Sequence, residues 1–252
     1  MEYASGGDLQ NLLNRYKKTG KRPSEAQVAS WLAQISLGLH GLHRVSIMHR
    51  DIKPANCLLL GDGRLVLGDF GGSKVLDDAL LTATFIGTPH YMSPELMFGE
   101  LYDASSDVWA LGVVAFEASA LQKPFAFEFG GPMTLRDLSQ RIDRGLGAWH
   151  MIQGLGLEKL ILSMLSQSKS KRPRIDQVIR FPLIARAVAG FIRDLASGKF
   201  KLKVDRAELL IDQVSALGLR GLCATALHLG VAQRKVGSGN DNDEKKKSHS
   251  YR

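Results

Sequence analysis

Cysteine is scarce in this 252-residue chain: Cys57 and Cys223 are the only two, far apart and without metal-ligand spacing. That argues against a disulfide framework and a cysteine zinc site, and it suits a reducing compartment. Long apolar runs are missing too. The longest, Val108 to Leu121, is interrupted by Glu117 and is too short to cross a bilayer. Met1-Glu2-Tyr3-Ala4 carries no basic stretch followed by an apolar one, so no secretory leader is expected. No Asn-x-Ser/Thr acceptor for a glycan occurs. Aromatics are an ordinary 7%, and the 8 prolines and 26 glycines fall well short of a low-complexity composition. The expectation is a globular, cytoplasmic protein without a membrane span.

Hydrophobic residues, at 44%, are enough for one good-sized core, or one domain with an appendage. The net charge of +8 is unevenly spread. Residues 1–167 hold 15 Lys/Arg against 17 Asp/Glu, a balance of −2, whereas residues 168–252 hold 18 against 8, a balance of +10. The basic character therefore belongs to the C-terminal third. Such a segment can attract acidic partners or a membrane surface, or simply form a solvated face. Residues 199–206 show no aromatic interleaving and no nucleic-acid motif, so no specific nucleic acid is expected.

Helical periodicity dominates. Leu9, Leu12, Leu13 and Tyr16 predict a short helix after Gly6-Gly7-Asp8. Ser24 with Gln27 forms a capping box ahead of a long amphipathic helix carrying Val28, Leu32, Ile35, Leu39 and Leu42. Cys57–Leu60 and Leu65–Leu67 flank Gly61-Asp62-Gly63, a small hairpin. Residues 71–94 read as loop. Ser105/Ser106 open a helix that is apolar nearly all round, hence buried, with Asp107 as a buried capping carboxylate. Further helices fit Leu135–Ile142, Glu158–Leu165, Asp176–Leu183, Ile184–Ala196 and Ala207–Ala216, while 236–252 has almost nothing to bury and should be disordered. The fold class is mostly α, with one small β element.

The chemistry is concentrated in His49-Arg50-Asp51-Ile52-Lys53-Pro54-Ala55-Asn56, followed by Asp69-Phe70-Gly71, Gly87-Thr88-Pro89 and Ser93-Pro94-Glu95. Two carboxylates, a lysine and a carboxamide lie on loops flanking a hairpin, which lets Asn56 and Asp69 converge. A carboxylate and an amide oxygen, with room for phosphate oxygens, suit Mg²⁺. This ordered set resembles the signature of the protein kinases. Ser106-Asp107-Val108-Trp109-Ala110-Leu111-Gly112 and Lys171-Arg172-Pro173 extend the resemblance to about residue 185. Leu67-Gly68-Asp69-Phe70-Gly71 and Gly87 to Glu95 look most like the NIMA-related branch.

The resemblance implies a kinase C-terminal lobe over 1–185, a basic helical extension over 186–235 and a disordered tail over 236–252. It implies ATP and Mg²⁺ as cofactors and a protein substrate with a Ser/Thr acceptor. Asp51 would accept or orient the substrate hydroxyl and Lys53 would offset charge on the γ-phosphate, while Asn56 and Asp69 would hold the metal. Glu2 and Ala4 would face adenine through their backbone, Asp8 the ribose, and Leu58 the underside of the ring. Arg50 would pair with a phosphate on Thr84 or Thr82, which read equally as plain loop threonines. Thr88 would mark a Ser/Thr acceptor site. Glu95 and Arg172 resemble the family's structural ion pair, and His49 is expected to pack structurally rather than react.

The family's Gly-x-Gly-x-x-Gly loop, its Val-Ala-x-Lys strand and the following Glu do not occur; Met1 falls at the edge of the segment that resembles the hinge between the lobes. The chain is thus expected to be truncated before the small lobe, to bind ATP weakly and turn over slowly or not at all. It would also expose a surface for a protein partner where that lobe would sit. The alternative is a non-catalytic lobe that binds substrates or kinases.

Overall fold

Asp8 ends an extended entry segment and starts the first helix: its carboxylate accepts from the Asn11 amide at 2.7 Å, capping α1 (Leu9–Thr19). The computed structural model describes residues 4–69, 89–125, 135–145, 149–200 and 204–219. Ser24 Oγ accepts from Gln27 N at 3.2 Å and opens α2 (Glu25–Arg44), whose apolar stripe is buried from Val28 to Leu39. The hairpin pairs β1 (Cys57–Leu59) with β2 (Leu65–Leu67) antiparallel, with Leu58 opposite Val66. The entry segment joins it: Gly6 N donates to Leu59 O at 2.9 Å and Leu59 N to Gly7 O at 2.8 Å. Cys57 is fully buried in β1 as a free thiol.

After α3 (Pro94–Met97) comes α4 (Ala104–Ala120), buried at every position from Ser106 onward. Its cap is Asp103, not Ser105 or Ser106: Asp103 Oδ1 accepts from Ser105 N at 2.7 Å. Asp107 therefore caps nothing on its own helix and is free for another task. Trp109 stacks on Phe125 with centroids 5.6 Å apart. Gly112 lets α6 (Glu158–Met164) approach closely, since a Cβ there would fall 2.9 Å from Met164 Cβ. Between them lies α5 (Leu135–Arg144).

The expected helix over Asp176–Leu183 is divided. α7 (Ile175–Arg180) stops and α8 (Pro182–Ala196) starts at a proline, which favours a helix's first turn and discourages helix just before it. The chain clusters into two compact units, residues 1–184 and 185–252. In the second, the Phe191 and Phe200 rings lie 5.6 Å apart, and α9 (Val204–Ala216) starts three residues earlier than its periodicity suggests. Among the described residues no helix is long and apolar enough to cross a membrane.

Candidate active site

The loop between α2 and the hairpin cannot hold itself. Arg50 has φ +67°, unfavourable for a side chain with a Cβ. Asp107, fully buried in α4, fixes it from outside. Its Oδ1 accepts from Arg50 N at 3.0 Å and Tyr102 OH at 2.5 Å, and its Oδ2 from His49 N at 3.0 Å and His43 Nε2 at 2.8 Å. Burial pushes the Asp107 carboxyl up, but the bonds from His43, Tyr102 and the two amides outweigh it and hold the group below its ordinary value. A buried carboxylate that accepts four donors remains charged and rigid.

On this support Asp51, Lys53 and Asn56 come together. Lys53 Nζ donates to Asp51 Oδ2 at 2.7 Å; Asn56 Nδ2 donates to the same oxygen at 2.7 Å and to Asp51 O at 2.8 Å. Oδ2 thus accepts twice, whereas Oδ1 accepts no hydrogen bond from the described residues. The Asn56 amide spends its N–H groups on Asp51, leaving its carbonyl oxygen as an acceptor. Asn56 is buried while Asp51 and Lys53 are each 38% exposed on the side chain, so the cluster opens to solvent at its acidic end.

The hairpin returns the chain so that the backbone just before Asp69 lies against Asn56 and His49. Gly68 N donates to Asn56 O at 2.9 Å, and Gly68 O accepts from His49 Nε2 at 3.1 Å. His49 is fully buried with its other ring nitrogen turned to Asp51 N at 3.4 Å, so it ties loop to hairpin. Gly68 has no room for a side chain: a Cβ would fall 2.5 Å from Leu58 Cδ1. Asp69 follows at φ +56°, exposed. Among the described residues no three His, Cys, Asp or Glu side chains gather as a metal cage. Two oxygen donors beside an ammonium suit a cation that draws its other ligands from phosphate and water, the preference of Mg²⁺.

In the segment expected to face a nucleotide, Ala4 is half-buried and its carbonyl accepts from Gly7 N at 3.4 Å. Asp8 pairs with Leu58 across an isolated bridge, setting both at one edge of the hairpin. Both Asp8 oxygens already accept from Asn11, at 2.7 and 2.8 Å, so a ribose hydroxyl would have to share them. Arg50 lies with its guanidinium 6.0 Å from the Tyr102 ring centre. Glu2, Phe70, Thr82, Thr84 and Thr88 lie outside the described residues.

Two further clusters brace the site. Glu95 grips Arg172 with two bonds of 2.7 Å and accepts from Ser106 Oγ at 2.6 Å. Burial raises the Glu95 carboxyl, yet the Arg172 and Ser106 bonds dominate and bring it down to about 2. Glu117, also fully buried, accepts from Tyr91 OH at 2.6 Å and from Lys17 Nζ at 3.4 Å. Neither this cluster nor the reach of Asp107 to the 49–50 backbone is visible in local sequence pattern. An acidic residue inside an otherwise apolar helix was the one available signal.

Residues 1–184 match the protein kinase domain family. Among similar proteins are the G2-specific protein kinase fin1 of Schizosaccharomyces pombe, 36% identical over 73% of this chain and 28% of its own length, and the mouse (Mus musculus) serine/threonine-protein kinase Nek2, 36% identical over 75% and 43%. Mouse Nek4 is 33% identical over 86% of this chain and 27% of its own. The chain belongs to the protein kinase family, within its NIMA-related serine/threonine branch. It spans less than half the length of these relatives.

Proposed function

We propose that this chain serves ATP-dependent phosphoryl transfer to a serine or threonine hydroxyl of a protein. The observation that carries the reading is the Asp51 carboxylate: one oxygen is pinned by Lys53 and Asn56 and the other is left to meet a substrate hydroxyl. Bound Mg-ATP would supply the transferred phosphoryl group and the cation that screens its charge. Asp51 orients the acceptor hydroxyl and receives its proton on Oδ1 as the new O–P bond forms and the bond to ADP breaks. Lys53 donates toward the transferring oxygens. Asn56 and Asp69 offer the metal their oxygens, Ala4, Leu58 and the Glu2 backbone line the adenine side, and Asp8 lies toward the ribose. Thr88 contributes to the acceptor site, and Arg50 answers a phosphate on Thr84 or Thr82. Residues 1–185 form this lobe, 186–235 the basic extension and 236–252 a tail, in a protein of the cytoplasm.

The sequence has no Gly-x-Gly-x-x-Gly and no Val-Ala-x-Lys, so this stretch by itself covers one face of a nucleotide and is a weak or inactive catalyst. That same observation favours a second reading, a lobe that binds substrates or kinases without turnover. A thermal-shift titration with Mg-ATP separates them. Stabilisation by Mg-ATP that disappears in Asp69→Ala supports the nucleotide site; no shift in either chain overturns it and leaves the binding lobe.

A further inference from the structure

Arg15, Lys17, Lys18, Lys21 and Arg22 crowd eight residues that hold no acidic side chain, and all five are exposed. Lys17 has Glu117 at 3.4 Å; Arg15, Lys18, Lys21 and Arg22 have no acidic partner among the described residues. Cations in the last turn of a helix favour its C-terminal end, which accounts for Lys17 and Lys18. It does not account for Arg15, a turn earlier, or for Lys21 and Arg22, beyond the helix. Arg15, Lys17 and Lys18 line an open depression of about 500 Å³ together with the amides of Asn11 and Asn14. Its three cations donate, and the Asn14 amide can add an N–H, which suits a carboxylate.

This patch adjoins the segment that follows Thr88. The buried Glu117 that Lys17 reaches also accepts from Tyr91, and Lys123 Nζ stands 5.4 Å from the centre of the Tyr91 ring. Two cations thus flank Tyr91, while the one carboxylate between them is fully buried and already engaged. Among the described residues no exposed carboxylate is paired with these cations, and five exposed positive charges repel a positive substrate.

We propose that the basic surface of α1 and the turn after it, with Lys123, selects acidic peptide around the acceptor Ser or Thr. The proposal rests on the phosphoryl-transfer reading for the place of the acceptor, and its test uses neither nucleotide nor turnover. Three fluorescent peptides of equal length, one Ser flanked by Asp/Glu, by Lys/Arg or by Ala, are titrated into the full chain by anisotropy. At an ionic strength of about 50 mM the acidic peptide should bind about tenfold tighter than the Ala peptide, the summed effect of several exposed ion pairs. The basic peptide should bind weakest, and salt should shrink the difference. The quadruple variant Arg15→Ser, Lys18→Ser, Lys21→Ser, Arg22→Ser removes groups that no fold contact uses, and should abolish the preference. Equal binding of the three peptides, or a preference that survives the variant, overturns the proposal. So does polyuridylate binding tighter than the acidic peptide at matched charge, which would reassign the surface to nucleic acid. Failure of the kinase reading would appear instead as absence of the Mg-ATP shift in the unaltered chain.

Discussion

Asp107 holds Arg50 in a left-handed conformation from 57 residues away, accepting its amide on Oδ1 at 3.0 Å. The same carboxylate takes His49, His43 and Tyr102, so one buried charge sets the path of the loop that carries Asp51. Asp107→Asn keeps the size but turns an amide N–H toward groups that themselves donate. Loss of about 3 kcal/mol is expected, from bonds to a charged group replaced by an unsatisfied buried one. In a thermal melt that corresponds to about 6–12 °C. Tyr102→Phe should cost less than half as much.

Acid should unfold the first unit in two stages. Burial depresses His90 to about 4, with Lys123 adding to the effect, and its buried Nδ1 has no hydrogen-bond partner. A histidine depressed in the fold contributes most when neutral, so stability should fall as pH drops from its ordinary value of 6.5 toward 4. Glu95 is depressed from 4.5 to about 2, so its contribution is present above the unfolded value and lost as pH falls through that range. The second stage should amount to about 3 kcal/mol. Denaturant midpoints across pH would show the upper stage reduced in His90→Asn, the remainder coming from His40, which burial also depresses. In Glu95→Gln, which leaves Arg172 buried and uncompensated, the lower stage should shrink, Asp107 keeping its share, with an overall loss of about 3–5 kcal/mol.

Gly68→Ala should destabilise by about 1–3 kcal/mol through overpacking on Leu58. Leu58→Ala removes the obstructing atoms, so the pair should be less harmful together than the sum of the two alone. A double-mutant cycle in urea measures this; additive losses would mean that the contact between the two positions does not govern the hairpin end.

Asp51→Asn leaves the Lys53 and Asn56 contacts largely in place but weakens the proton acceptor. In a form of the protein that phosphorylates a Ser peptide, turnover should fall by about 10²–10⁴, with the Mg-ATP thermal shift kept. Asp69→Ala should instead remove that shift. Radiolabel transfer beside calorimetry separates the two roles.

Much of the fold and of the candidate site was legible in the sequence because it is local. Asp51, Lys53 and Asn56 fall within six residues, and the hairpin that follows has to return the chain to the same point. Gly61-Asp62-Gly63 and the alternation around it carry that return in plain view. The cap at Asp103 was missed because Ser105 and Ser106 offer equally good hydroxyls, and only the observed bond chooses. The break before Pro182 was legible in principle, since proline forces it. The clusters on Asp107 and Glu117 were not: Lys17 lies 100 residues from Glu117, and no periodicity encodes a bond across that distance. An isolated acid in a buried helix announces that partners exist without saying which.

The thiol of Cys57 has a use as a reporter. Enclosed in β1, with burial chiefly and then the Asp8 charge pushing it up to about 12, it holds almost no thiolate at neutral pH. Alkylating reagents should therefore find it only when the strand lifts away. In a Cys223→Ser background, the rate of its modification would time how often the floor of the proposed nucleotide site comes apart, and a ligand that seats there should slow the clock.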